Sequence, residues 1–556
     1  MRWIHLFISL FTSTFSIAES HFAPHAMVVS EQRDATLAGL SILKAGGNAI
    51  DAAVAVGYAL AVVNPCCGNI GGGGFMTIHL NNGKNIFINF REKAPLKATA
   101  TMFQDANGNL IPNKSTKGFL AVGVPGTVMG LDTALKLYGT MTRQQVMKPA
   151  INLARNGYRV TAFDAKWFAE YVDDFRKSAP VAAIFLKNGE PYREGELLKQ
   201  SDLAHSLELV ATKGTDAFYK GSIAKDIVAA SNRHGGILSL EDFADYNVEI
   251  LKPIQCDYRG YNVISAPPPS SGGITLCEML AILNNFPMND FGFHSVRASH
   301  IIIEAMRYAF NDRNADLGDP DFVKNPTDHL LSKNYAREIS DKIKNEPYAA
   351  QSVKQVAQPK LSDTTHYSVV DAKGNAVSVT YTINGFFGAK VIADHTGFFL
   401  NDEMDDFAAK PGEQNYFGLV QGNANAIAPG KRPLSSMTPT ILLRNGKLFM
   451  VVGSPGGPRI ITSVLLTILN VIDNGMSIQQ AVNAPRFHFQ GLPNVVFAEP
   501  FAFTTFTQAA LRYLGYDIVQ QSTWSAVEAI LVNPETGNLD GANDDVRRPA
   551  GAAIGY

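Results

Sequence analysis

The chain has 556 residues, 46% hydrophobic and 18% charged, an ordinary globular composition that excludes the disordered and fibrous classes. Its 48 Lys plus Arg nearly balance 50 Asp plus Glu. With no basic stripe interleaved with aromatics, nucleic acid is not indicated as a partner.

The opening MRWIHLFISLFTSTFSIAES carries an early Arg2, an apolar run and the small residues Ser16, Ala18 and Ser20. That is the pattern of a secretory signal peptide, with cleavage expected after Ala18 or Ser20. The run is short of the roughly 20 residues a membrane span needs. The first cysteine is Cys66, so a lipoprotein anchor near the start has no acceptor thiol. A secreted, periplasmic protein is the expectation.

Residues 27–63 place Ala, Leu, Ile and Val at helical spacing around Gly46-Gly47, which predicts two helices joined by a turn. GFMTIHLNNGKNIFINF alternates around Asn82-Gly83 as a hairpin does. Helical patterns dominate from about Val128 to Ala230, and Ala298 to Asp312 is a further helix with an apolar face. The polar segment 340–363 reads as an exposed connector. Strands then return as hairpins around Lys373-Gly374-Asn375 and Asn445-Gly446, and helices follow from about Ile460 to Ala484. This order predicts antiparallel sheets with helices outside them. The four cysteines, Cys66, Cys67, Cys256 and Cys277, have no zinc-ligand spacing and are read as small buried apolar residues rather than as disulfides.

Several chemistries are excluded by their missing signatures. GNIGGGGF at 68–75 lacks the Lys of a P-loop and the spacing of a dinucleotide fingerprint, so it is read as close backbone packing. No serine lies in G-x-S-x-G, no H-E-x-x-H occurs, and Asn401–Asp406 lacks the glycine of an EF-hand. No metal is indicated. Gly453-Ser-Pro-Gly-Gly457 follows an apolar strand and precedes a helical stretch. Its paired glycines could present two backbone N–H groups to an anion.

An acidic cluster, a Ser-Ser pair, this Gly-Gly pair and a Thr-Thr pair at a strand start remain. They occur as Thr364-Thr-His-Tyr-Ser368 after Asp363, Tyr381-Thr-Ile-Asn384, Leu400-Asn-Asp-Glu-Met-Asp-Asp-Phe407, Arg432-Pro-Leu-Ser-Ser-Met437 and Gly453–Gly457. Upstream stand Gly46–Ala53, Gly71–Phe75, Arg91-Glu-Lys-Ala-Pro95, Gly123–Thr127, Pro268–Gly273 and Asp312-Arg313. In this order the motifs resemble the γ-glutamyltranspeptidase family across nearly everything after residue 20.

The resemblance implies an α+β, four-layer αββα sandwich of the N-terminal nucleophile hydrolase superfamily. One precursor would cleave itself at Asp363–Thr364, giving a large subunit 21–363 and a small catalytic subunit 364–556 that together form one interleaved domain. Thr364 would be the nucleophile and its freed α-amine the base; Thr382 would assist it, and Gly456 and Gly457 would hold the oxyanion. Arg91, Ser435 and Ser436 match the residues that take the α-carboxylate of a γ-glutamyl group, and Asn384, Glu403 and Asp406 those that take its ammonium. Glutathione and other γ-glutamyl amides would be donors, water and acceptor amino acids or dipeptides the acceptors, with no cofactor required. Alternatives are a glutaryl acylase of the same fold, a poly-γ-glutamate-processing relative, or a catalytically dead binding protein. Pro411–Gly418 aligns with the family's lid loop, where Phe417 stands in the usual place of a tyrosine that bonds the equivalent of Asn384. A looser lid is the expectation.

Overall fold

A computed structural model of the chain describes residues 21–345 and 364–556. The expected signal segment and Asp363, at the expected scission, therefore lie outside the described residues, as does most of the expected connector.

The two hairpin regions after residue 364 become the centres of two seven-stranded sheets. Thr365–Val370 and Ala376–Thr382 pair antiparallel, flanked by Met27–Ser30 and Ala552–Gly555 on one side and by Gly73–His79, Asn85–Phe90 and Glu249–Leu251 on the other. The second sheet runs His21–Ala23, Leu539–Asn543, Glu528–Val532, Lys447–Gly453, Thr440–Arg444, Tyr261–Ser265 and Ile254–Tyr258, again antiparallel throughout. Both sheets combine strands from before and after Thr364, so neither half has a complete core of its own.

Period-two alternation sets what each strand face meets. Tyr367, Val369, Val377, Val379 and Tyr381 face an outer helix layer that includes Ala49–Val63 and Thr127–Tyr138. Met450 and Val452 face the opposite layer, built from Gly272–Leu283, Val296–Asp316 and Arg459–Ile472. Between the sheets lie Val370, Ala376, Ile441, Val451 and Ile530. The layering is the αββα sandwich. Helix Ala49–Val63 is apolar all round and buried at every position, as a helix between other layers must be. Asn48 and Asp51 close its first turn as a capping box.

The glycine run behaves as expected. A Cβ on Gly72 would lie 2.0 Å from the Thr382 carbonyl oxygen, and one on Gly74 2.5 Å from that of Thr380, so the strands approach too closely for any side chain. The reading of the cysteines is corrected. Cys256 on an edge strand and Cys277 on the helix above it are bonded, with Cα atoms 5.8 Å apart, and Cys66 is bonded to Cys67 in the turn after Ala49–Val63. A strand packed beneath a helix brought the first pair within disulfide reach, which linear spacing does not reveal. Among the described residues, no helix is long and apolar enough to cross a membrane.

Candidate active site

Strand register assembles the reactive end. Thr365 pairs with Tyr381, so Thr364, one residue earlier, falls opposite Thr382, and both side chains point into the space between the sheets. Thr364 Oγ1 donates to Thr382 Oγ1 at 3.3 Å, and Thr382 Oγ1 also accepts the N–H of Asn384 at 2.8 Å. Thr364 is 4% exposed. His366, two residues on, is no candidate base: its ring nitrogens bond Thr380 Oγ1 at 2.8 Å and Ser368 Oγ at 3.1 Å, and burial pushes its pKa down to about 3. It is a satisfied core histidine packed against Gly453, whose Cβ would strike the ring.

Gly456 and Gly457 lie between the strand Lys447–Gly453 and the helix Arg459–Ile472, at φ 119° and 58°. These left-handed angles favour glycine. Neither N–H donates to an acceptor among the described residues, and Gly457 lines the same narrow cleft as Thr364 and Thr382. Two unpartnered donors beside a hydroxyl suit an oxyanion hole.

Arg91 is fully buried at the foot of the strand Asn85–Phe90, held by its own N–H on Asn89 Oδ1 at 3.0 Å and by Nε on the Pro433 carbonyl at 3.1 Å. Its two Nη atoms are bonded to Glu403 and Asp406. The groups expected to take opposite ends of a ligand are thus paired with each other, because a buried cation and buried carboxylates require compensation. These acids hold Arg91 charged against its burial. Burial, opposed by Arg91, raises Glu403 and Asp406 and pushes Glu92 up to about 7. Asn384 donates Nδ2 to the Asp402 carbonyl at 3.0 Å, and no bond among the described residues reaches its side-chain oxygen, an acceptor suited to an ammonium.

The serine pair is oriented from behind. Ser435 Oγ accepts the N–H of Met437 at 3.1 Å and Ser436 Oγ accepts Arg313 Nη2 at 3.0 Å, so each hydroxyl keeps its hydrogen for another acceptor. Arg313 and Ser271, which bond each other at 3.0 Å, are site-building residues to which the sequence reading gave no role. The signal was present, since both fall inside motifs carrying the resemblance. Nine of the ten residues expected at the site line this one cleft, and the tenth, Gly456, is the chain neighbour of Gly457.

Of the expected lid residues 411–418, Phe417 lines the cleft. Phe417 is buried with its ring against Gly457, where a Cβ would lie 2.5 Å away, and its carbonyl accepts Gln490 Nε2 at 3.2 Å. Tyr416 does not substitute at Asn384. Its N–H bonds Asp405 Oδ2 at 2.9 Å and its hydroxyl is hydrogen-bonded to Tyr171 of the upstream half. A larger cavity of about 250 Å³ behind the loop, lined by Phe103, Ile111, Asp405 and Tyr416, contains none of the reactive groups.

A buried threonine heading a central strand of an αββα sandwich, with free backbone donors beside it, defines the N-terminal nucleophile hydrolase fold. The structure matches a cephalosporin acylase from Bacillus halodurans with a TM-score of 0.85 at 28% identity over 99% of both chains. It also matches the Helicobacter pylori γ-glutamyltranspeptidase with a TM-score of 0.55 at 47% identity, covering 56% of this chain and 89% of that one. The profile of the family described as Gamma-glutamyltranspeptidase matches residues 35–555. Glutathione hydrolase proenzymes from Pseudomonas sp. (strain A14) and Escherichia coli (strain K12) are 53% and 48% identical over 96% of this chain, covering 95% and 93% of their own lengths. The chain belongs to the γ-glutamyltranspeptidase family.

Proposed function

We propose that this chain is an exported γ-glutamyl transferase and glutathione hydrolase that activates itself by cleaving Asp363–Thr364. The observation that carries the reading is the 3.3 Å contact between Thr364 and Thr382 hydroxyls in a cleft shared with Gly457, Arg91 and the serine pair.

A threonine hydroxyl needs a base, and an N-terminal amine with a reference pKa of about 7.7–8.0 supplies one near neutral pH. In the intact chain that nitrogen is an amide, so scission creates base and nucleophile together. Thr364 Oγ1 then attacks the γ-carbonyl carbon, its proton passes through the amine to the departing amine, and an ester is left on Thr364. The developing oxyanion is met by Gly456 and Gly457 N–H. Water or an acceptor amine resolves the ester. For the γ-glutamyl group to seat, Arg91 exchanges one of its carboxylate partners for the ligand's carboxylate, and the released Glu403 or Asp406 faces the ammonium. The interleaved strands support the 21–363 and 364–556 fragments staying together as a heterodimer. Disulfides at Cys66–Cys67 and Cys256–Cys277 support secretion into an oxidising, periplasmic compartment.

A glutaryl acylase is the second reading, favoured by the likeness to the cephalosporin acylase. A glutaryl group has no ammonium to engage Glu403 and Asp406. Assay with a γ-glutamyl anilide and a glutaryl anilide decides between them: turnover of the first by a large factor over the second is expected, and the reverse ratio would overturn the reading.

A further inference from the structure

The buried arginine near the end of helix Val296–Asp316 has no role in the reaction as described. Arg313 is 1% exposed and lines the cleft with Thr364 and Arg91. Its Nε donates to Ser271 Oγ at 3.0 Å, Nη1 to Asn314 Oδ1 at 2.9 Å and Gln421 Oε1 at 3.2 Å, and Nη2 to Ser436 Oγ at 3.0 Å. All four acceptors are neutral. Among the described residues Arg313 enters no ion pair, and the acid whose charge it feels most, Asp406, is bonded to Arg91. Burial lowers its pKa to about 10, which leaves it charged at neutral pH.

The bond to Ser436 decides how that hydroxyl works. A guanidinium N–H can only donate, so Ser436 Oγ accepts it and its own hydrogen must find an acceptor elsewhere. No such acceptor occurs among the described residues, and Ser436 lines the cleft. Ser271 extends the effect to the neighbouring serine, because its Oγ and N–H donate to the Ser435 carbonyl at 2.7 Å and 2.9 Å. Gln421, which also bonds Arg313, donates Nε2 to the Asp406 carbonyl at 3.1 Å. One side chain therefore ties the serine pair, the Pro268–Gly273 turn and the acidic segment together.

We propose that Arg313 is a positioning residue for the carboxylate end of the substrate, holding the Ser436 hydroxyl as a donor into the cleft and adding a positive charge that no carboxylate among the described residues pairs with. The inference rests on the γ-glutamyl reading, whose substrate carries that carboxylate.

The test compares self-cleaved wild type, Arg313→Gln, Arg313→Lys, Ser436→Ala and the Arg313→Gln/Ser436→Ala double variant. The substrates are γ-glutamyl-p-nitroanilide and 4-aminobutyryl-p-nitroanilide, which differ only in the α-carboxylate. Arg313→Gln should raise KM for the γ-glutamyl anilide about tenfold or more with kcat within about threefold, and leave KM for the 4-aminobutyryl anilide unchanged. Arg313→Lys should fall between wild type and Gln, because it keeps the charge without the fork. The double variant should show less than the product of the single effects. Equal KM rises for both substrates, or fully independent effects of the two variants, would overturn the role. If Arg313→Gln fails to self-cleave, Arg313→Lys carries the comparison: a KM rise confined to the γ-glutamyl anilide supports the role, and wild-type constants for both substrates overturn it. Wild type inert toward the γ-glutamyl anilide would instead remove the γ-glutamyl reading itself.

Discussion

The space between the two sheets has two ends of different character. At one, Val370, Ala376, Ile441, Val451 and Ile530 pack as a dry apolar layer. Along the same strands toward the other, the inward positions become Ser368, His366, Thr380 and finally Thr364 and Thr382, joined by hydroxyl and imidazole hydrogen bonds. The strands are continuous and buried throughout. Only the chemistry of alternate residues changes. Apolar packing therefore concentrates at one end and the proposed reactive groups at the other, and a polar band in which both His366 ring nitrogens are satisfied separates them. The two ends should be separable by substitution.

The largest effect is expected at the polar end. Thr364→Ala should remove catalysis, by more than about 10⁴-fold in kcat/KM toward a γ-glutamyl anilide, while unfolding in denaturant shifts little. A clear loss of stability without loss of activity would erase the distinction between the ends.

At the dry end the pattern should invert. Ile441 is fully buried in the inter-sheet layer, and Ile441→Ala should cost about 2–5 kcal/mol in denaturant unfolding. The kcat/KM of the folded enzyme should remain within about twofold of wild type; a tenfold loss would show that packing there reaches the nucleophile.

Glu92 sharpens the comparison through pH. Its carboxyl lies beside Arg91, Glu403 and Asp406, and burial pushes its pKa up to about 7 from an ordinary 4.5. The folded state then binds the proton more tightly than the unfolded chain. This contribution is fully present below about pH 4.5 and is lost as pH rises through about 7. Glu92→Gln should flatten that part of the stability curve between pH 4.5 and 7, measured by urea unfolding at each pH. Identical slopes in both proteins would contradict the assignment.

The smallest effect belongs to the lid. Phe417→Tyr adds a hydroxyl within the cleft that Asn384 also lines, and a neutral hydrogen bond contributes only about 0.5–1.5 kcal/mol. Partitioning of the acyl-enzyme between water and glycylglycine should change by a few-fold. Unchanged partitioning and unchanged KM would show that Tyr416, anchored to Tyr171 and Asp405, already fixes the loop.

Much of this was legible in the chain itself. The alternation around Lys373-Gly374-Asn375 and Asn445-Gly446 located the central strands, and the glycine run marked a close strand approach, because both are local patterns with a direct steric cause. Nine of the ten expected site residues line one cleft because each sits in a motif fixed by register or by a turn. Pairings across the fold were not legible. Cys256 and Cys277 meet only once a helix lies on an edge strand, and the bonding of Arg91 to Glu403 and Asp406 depends on three charges sharing one buried space. Arg313 stood in a motif of the resemblance, but its role was not legible, since that lies in having only neutral bonding partners. Tyr416 faces Tyr171 because the loop is fastened at Asp405, a contact between residues eleven apart.

The proposed catalysis depends most on Thr364 becoming a chain terminus. Purified protein separated on a denaturing gel should give two fragments, the smaller spanning residues 364–556, and N-terminal sequencing of that fragment should read TTHYS. A single uncleaved band that still turns over a γ-glutamyl anilide, or a smaller fragment with any other first residue, would contradict it.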